Sequence, residues 1–182
     1  MQNNALVATD GTYIAPNGVI AGTGTLEAGF LGLHVDGLMS PGINVLFPRA
    51  SSAALQSAAQ PQNGAATLAV SGTLTFGPTG RLAIPLIGSS PGQYGSLGIT
   101  GTTSLDGVLA LKFSQGYAPQ QGDMFTFLTA MDGISGTFDS VAISRLMPGF
   151  EYDLSVVSGQ LVLEALNDGV PLHELFLPLV GR

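Results

Sequence analysis

The sequence predicts an all-β chain made of stacked coils. Three observations carry that expectation. Short runs with alternating apolar residues recur between Gly-rich turns, helix signals are nearly absent, and two stretches echo each other at a fixed spacing. Alternation with period 2 over about 4–7 residues is the pattern of a strand with one buried face.

The elements follow in order. The segment Asn4–Ile14 alternates apolar positions. Gly24-Thr25-Leu26 and Leu33-His34-Val35 come next, each close to a glycine. Ser51–Gln60 is the one helix candidate, Ala-rich with a Ser cap and a stop before Pro61; a surface loop is the competing reading. Strands are then expected at 66–72, 73–77, 81–87, 97–101, 107–113, 124–128, 139–143 and 160–164. Pro78-Thr79-Gly80 and Leu105-Asp106-Gly107 supply turn positions for positive φ.

The echo pairs Val70-Ser71-Gly72-Thr73 with Ile99-Thr100-Gly101-Thr102, 29 residues on. The strands that follow, Gly80-x-Leu82-Ala83-Ile84 and Gly107-x-Leu109-Ala110-Leu111, match at 27. A unit of about 20–30 residues that repeats points to coils that bury their inner faces on one another. A β-sandwich or jelly roll is the alternative that regular strand spacing also allows.

Composition removes other classes. The 182 residues make one ordinary domain, and only 9% are Asp, Glu, Lys or Arg, against about 25% in a typical soluble domain. Helical bundles and coiled coils carry far more charge on their exposed faces. A disordered tail would be charged and poor in apolar residues, whereas 45% of this chain is hydrophobic. Five cations in a chain of net charge −7 do not track a phosphate backbone, so no nucleic acid is expected. Mean hydropathy is +0.40, yet Gly, Pro, Ser, Thr, Asn or Asp breaks every apolar run well short of the roughly 20 residues of a spanning helix. The chain is therefore not expected to span a membrane. The first residues show neither a basic nor a long apolar stretch, so no secretory signal is expected here. There is no Cys, hence no disulfide or thiolate chemistry.

From about residue 37 to 163 the order of short motifs is familiar. Gly37-Leu38-Met39-Ser40-Pro41-Gly42 reads as a G-x-L-x-P-G turn, and Ala69–Leu74 as a v-x-G-x-L strand. Gln93-Tyr94-Gly95-Ser96-Leu97-Gly98-Ile99-Thr100-Gly101 follows a Y-D-x-L-x-V-x-G pattern, with Gly95 in place of the Asp. Leu105-Asp106-Gly107-Val108-Leu109, Gly122-Asp123-Met124-Phe125-Thr126-Phe127-Leu128 and Ile134-Ser135-Gly136-Thr137-Phe138 complete the series. The chain thus resembles the β-solenoid region of autotransporter-type bacterial surface proteins and related secreted repeat proteins. That resemblance implies a right-handed parallel β-helix, an extracellular or cell-surface location, and a structural or adhesive role without catalysis. The chain is expected to divide into an N-terminal strand segment (1–20), a solenoid domain (21–166) and an apolar tail (167–182).

In the tail, Leu172, Leu175, Phe176, Leu177, Leu179 and Val180 are too apolar to stand in water, and Pro171 and Pro178 bar a regular helix or central strand. They are expected to cap the stack or to dock on a second subunit. Open ends of a stack expose unpaired backbone groups. The tail and the first strand, with Leu6 and Val7, are therefore the expected assembly residues, giving a homo-oligomer or filament.

Candidate chemistry is thin. Glu151 with Asp153, and Asp132 with Asp139, are carboxylate pairs, but their spacing does not define a glycosidase pair. His34 and Asp36 share a strand face, without a Gly-x-Ser-x-Gly nucleophile elbow. His173 has no second His near it. Arg49, Arg81, Lys112 and Arg145 are scattered along the chain, which disfavours a polyanion-cleaving enzyme. No catalytic residue and no cofactor is expected; calcium on Asp123, Asp132, Asp139 and Asp168 is the weak exception, because all four sit in turns. A surface glycan is the alternative partner, with Tyr13, Tyr94, Tyr117 and Tyr152 as stacking residues if they gather on one face.

Overall fold

Through fifteen strands the chain visits three sheets in rotation. In this computed structural model, residues 6–7, 11–42 and 67–172 are described. The first triplet of strands is β1 (Leu6–Val7), β2 (Thr12–Ile14) and β3 (Val19–Gly22). The second is β4 (Gly24–Glu27), β5 (Leu33–Val35) and β6 (Leu38–Pro41). The third is β7 (Thr67–Ser71), β8 (Leu74–Phe76) and β9 (Arg81–Leu86). The fourth is β10 (Ser96–Ile99), β11 (Thr103–Leu105) and β12 (Val108–Phe113). The fifth is β13 (Met124–Ala130), β14 (Ile134–Gly136) and β15 (Ser140–Ser144), and a last pair, β16 (Tyr152–Val157) and β17 (Gln160–Ala165), ends the series.

Sheet A has the order β1-β4-β7-β10-β13-β17-β16, sheet B β14-β11-β8-β5-β2, and sheet C β15-β12-β9-β6-β3. All pairs are parallel except those made by β17. An all-β chain with parallel sheets is thus in place, and no helix occurs among the described residues. The echoed residues lie on top of one another: Val70 pairs with Ile99, and Leu82 with Leu109. The antiparallel sandwich alternative does not produce such a ladder. The helix candidate at 51–60 lies outside the described residues.

The inner faces form one core. Leu68, Val70, Leu97 and Ile99 from sheet A, Leu74 and Phe76 from sheet B, and Leu82, Ile84, Leu109 and Leu111 from sheet C are buried together. Because side chains alternate along each strand, the intervening residues face outward and small polar types suffice there. That accounts for a hydropathic chain with little charge.

Between sheets B and C the corners close through backbone contacts. Arg81 N donates to Gly37 O, Val108 N to Gly80 O and Asp139 N to Gly107 O. A Cβ on Gly80 would press into the carbonyl oxygen of Val35, and one on Gly107 into that of Gly80. Glycine is needed there for close approach of successive triplets. Gly95, which departs from the resemblance, has a similar cause: a Cβ would press into Pro41 O and the Pro85 ring.

The parallel pattern stops at the fifth triplet. Ser158 and Gly159 both have positive φ, 50° and 74°, so β16 and β17 are joined by the kind of two-residue turn that favours a twisted hairpin. β17 lies antiparallel on β13, with a register shift between Thr126 and Leu128. It buries Leu161, Leu163 and Ala165 against the core. Leu38–Pro41, expected as a turn, is strand β6.

Candidate functional site

Two kinds of surface could meet a partner: free strand edges and outward sheet faces. Sheet A ends on β1 at one side and β16 at the other. β17 reverses direction and β16 reverses it again, so β16 runs the same way as β13 and therefore as β1. Val156 and Val157 on β16 are exposed, and Asp153 is the strand's single charge.

The expected assembly residues distribute as follows. Leu6 and Val7 form β1, opposite Leu26 and Glu27 of β4. Leu172 is exposed, and its N–H donates to Arg145 O at 2.9 Å. Met147 N donates to Val170 O at 2.8 Å, so residues 170–172 run antiparallel to 145–147, just beyond β15. Leu175, Phe176, Leu177, Leu179 and Val180, with His173, lie outside the described residues.

The four tyrosines do not form a common stacking face. Tyr13 alone is exposed. Tyr94 packs edge-on against Phe125 and Phe127, and Tyr117 and Tyr152 pack against Phe113 and Phe150. Burial, opposed in part by Ser89 and reinforced by Asp123, pushes the Tyr117 phenol up to about 12; its hydroxyl donates to Asp123 Oδ2 at 3.0 Å.

The His34–Asp36 pair exists and recruits Tyr13. His34 Nε2 is 3.4 Å from Asp36 Oδ2, the Tyr13 hydroxyl donates to the same oxygen at 2.8 Å, and the two rings stack at 5.5 Å. The hydrogen bond to Asp36 raises the Tyr13 pKa. Tyr13 and His34 are opposite each other on β2 and β5, Asp36 directly follows β5, and their mutual contacts account for them as surface pairing.

The turn carboxylates cap backbone groups. Asp123 Oδ2 also accepts from Gln120 N, Asp168 Oδ1 from Gln121 N, and Asp106 Oδ1 from Gly107 N. Among the described residues no three His, Asp or Glu side chains converge.

The outer face of sheet C holds what the sequence did not reveal. A cavity of about 210 Å³ lies there, lined among others by Arg81, Ala83, Pro85, Ala110, Lys112 and Ala142. Ala83, Ala110 and Ala142 occupy one row in register on β9, β12 and β15. The two cations, 31 positions apart in the sequence, sit on neighbouring strands. No helix among the described residues is long and apolar enough to cross a membrane. No family model matches the chain, and no curated protein matches it.

Proposed function

We propose that the chain is a non-catalytic structural segment, a right-handed parallel β-solenoid of a bacterial surface or secreted protein, that joins further copies of itself end to end. The rotation through three parallel sheets supports the solenoid. The resemblance to autotransporter-type passengers supports the location and the absence of catalysis.

One observation carries the assembly: β16 presents an exposed edge whose direction equals that of β1. A second copy can therefore add its β1 to β16 in the parallel sense used by the rest of sheet A. Such a contact joins two different surfaces, so it propagates rather than closes. Pairing of this kind uses backbone groups that the edge otherwise leaves to water.

The test is light scattering over a concentration series, with negative-stain images, on the native sequence and on Val157→Lys. A lysine on this exposed edge should alter stability by no more than about 0.5 kcal/mol while opposing strand addition. The native chain should gain mass with concentration and form end-to-end particles, and the variant should stay monomeric. A native chain that remains monomeric throughout would overturn the reading.

A further inference from the structure

We infer that the outer face of sheet C binds a linear acidic polysaccharide. The inference is independent of end-to-end assembly, since sheet C is a lateral face and the contact proposed above uses the edges of sheet A.

Charge segregation is the first observation. The chain has twelve Asp and Glu but only five Lys and Arg. Among the described residues the cations are Arg81 on β9, Lys112 on β12, and Arg145 directly after β15. All three belong to sheet C or its margin. The five strands of that sheet contain no Asp or Glu, whereas sheet A carries Glu27, Asp153 and Glu164. The nearest acids in sequence, Asp106 and Asp139, stand in the corners before β12 and β15.

The second observation is that Arg81 and Lys112 are exposed and make no ion pair or side-chain hydrogen bond among the described residues. Both line the cavity. A chain with so few cations that leaves two of them without an ion pair among the described residues, beside one cavity, is complementary to an anion.

Geometry selects the kind of anion. Val108 pairs with Arg81 and Lys112 with Pro85, so the cations are offset by about 13 Å along the strands and one strand spacing across them. A polymer lying obliquely over Ala83 and Ala110 meets both. The floor between them is alanine and proline, flat enough for the C–H faces of pyranose rings. The oblique path between the two cations is thus about 14 Å long, the span of a few sugar units in a linear glycan. β9 and β12 are each paired on both sides, so their backbone offers no ladder to an acidic peptide. Carboxylates or sulfates along a glycan need only the Arg fork and the Lys ammonium.

The test is calorimetric titration of the monomeric Val157→Lys protein with an oligogalacturonate long enough to cross the sheet. Its methyl-esterified form and polyglutamate are the comparison ligands. The acidic oligosaccharide should bind, weakening with added salt, and the neutral ester should not. Arg81→Gln and Lys112→Gln should each weaken binding about tenfold, with unchanged circular dichroism, while Glu27→Gln on sheet A should leave it intact. Equal binding of the ester, equal or tighter binding of polyglutamate, unchanged affinity in the double Gln variant, or no binding of the uronate would each overturn the inference. None of these results bears on assembly, which is read from particle mass.

Discussion

The two ends of the strand series are finished differently. At the C-terminal side, β17 inserts antiparallel on β13 and buries Leu161, Leu163 and Ala165 at 2% exposure or less. At the N-terminal side the corresponding residues are only partly covered. Ile14, Ile20 and Leu26 are half-buried. Among the described residues the same strand pattern therefore buries less at this end of the stack. Hydrophobic stabilisation follows the apolar area removed from water, so the middle triplets and the hairpin should hold most of the stability. The first triplet is the natural place for a partner strand to add.

This contrast can be broken most severely in the middle. Gly80→Val drives a side chain into the Val35 carbonyl between the second and third triplets. It should cost about 3 kcal/mol or more, measured by urea unfolding. Gly22→Ala in the first triplet meets no atom within 4 Å, although its φ is +129°. Its cost should be about 1–3 kcal/mol, set by backbone strain alone.

Truncation at the two ends is the next comparison. Leu163→Ala in β17 should cost about 2–5 kcal/mol, the range for a fully buried leucine. Ile20→Ala in β3 should cost less than half as much, because part of its surface already faces water. Equal losses would contradict the contrast.

A smaller effect compares two threonines in one inward row of sheet B. Thr103 is buried, and its hydroxyl has no partner among the described residues. Thr12, at the other end of the row, is only half-buried. Thr103→Val removes an unpaired buried hydroxyl and should raise stability by about 1 kcal/mol, whereas Thr12→Val should change little.

The alkaline limb of stability tests the C-terminal aromatic cluster. The Tyr117 phenol is raised from its usual 10 to about 12, first by burial. Above pH 10 the unfolded chain loses this proton while the folded chain keeps it, so stability present below pH 10 declines between pH 10 and 12. Unfolding of Tyr117→Phe should show a shallower decline over that window.

Much of the fold was legible because the repeat is written in residues that stack. Val70 over Ile99 and Leu82 over Leu109 are the echoed positions. Strands β11 and β14 have three residues each, too short for a period to stand out. β6 was hidden by Pro41 and Gly42, which read as a turn. The hairpin had a signal in Ser158-Gly159 between apolar runs, but a uniform stack was the simpler expectation. The cation pair on sheet C was the least visible feature. Arg81 and Lys112 look unrelated until the 27-residue register is applied, which places Lys112 beside Pro85 and hence on the same face as Arg81. Tyrosines gave the opposite lesson, since three of the four expected on a surface pack against phenylalanines.

The measurement closest to the central claim uses the absence of cysteine. Single variants Leu6→Cys and Ser155→Cys place one thiol on β1 and one on β16. The two proteins are mixed and oxidised gently, and the products are separated by mass under denaturing conditions. End-to-end addition through sheet A predicts a mixed disulfide between the two variants, in excess over either homodimer and abolished by adding Val157→Lys to the second protein. Only statistical proportions of the three dimers, or a mixed product that persists with Val157→Lys, would contradict it.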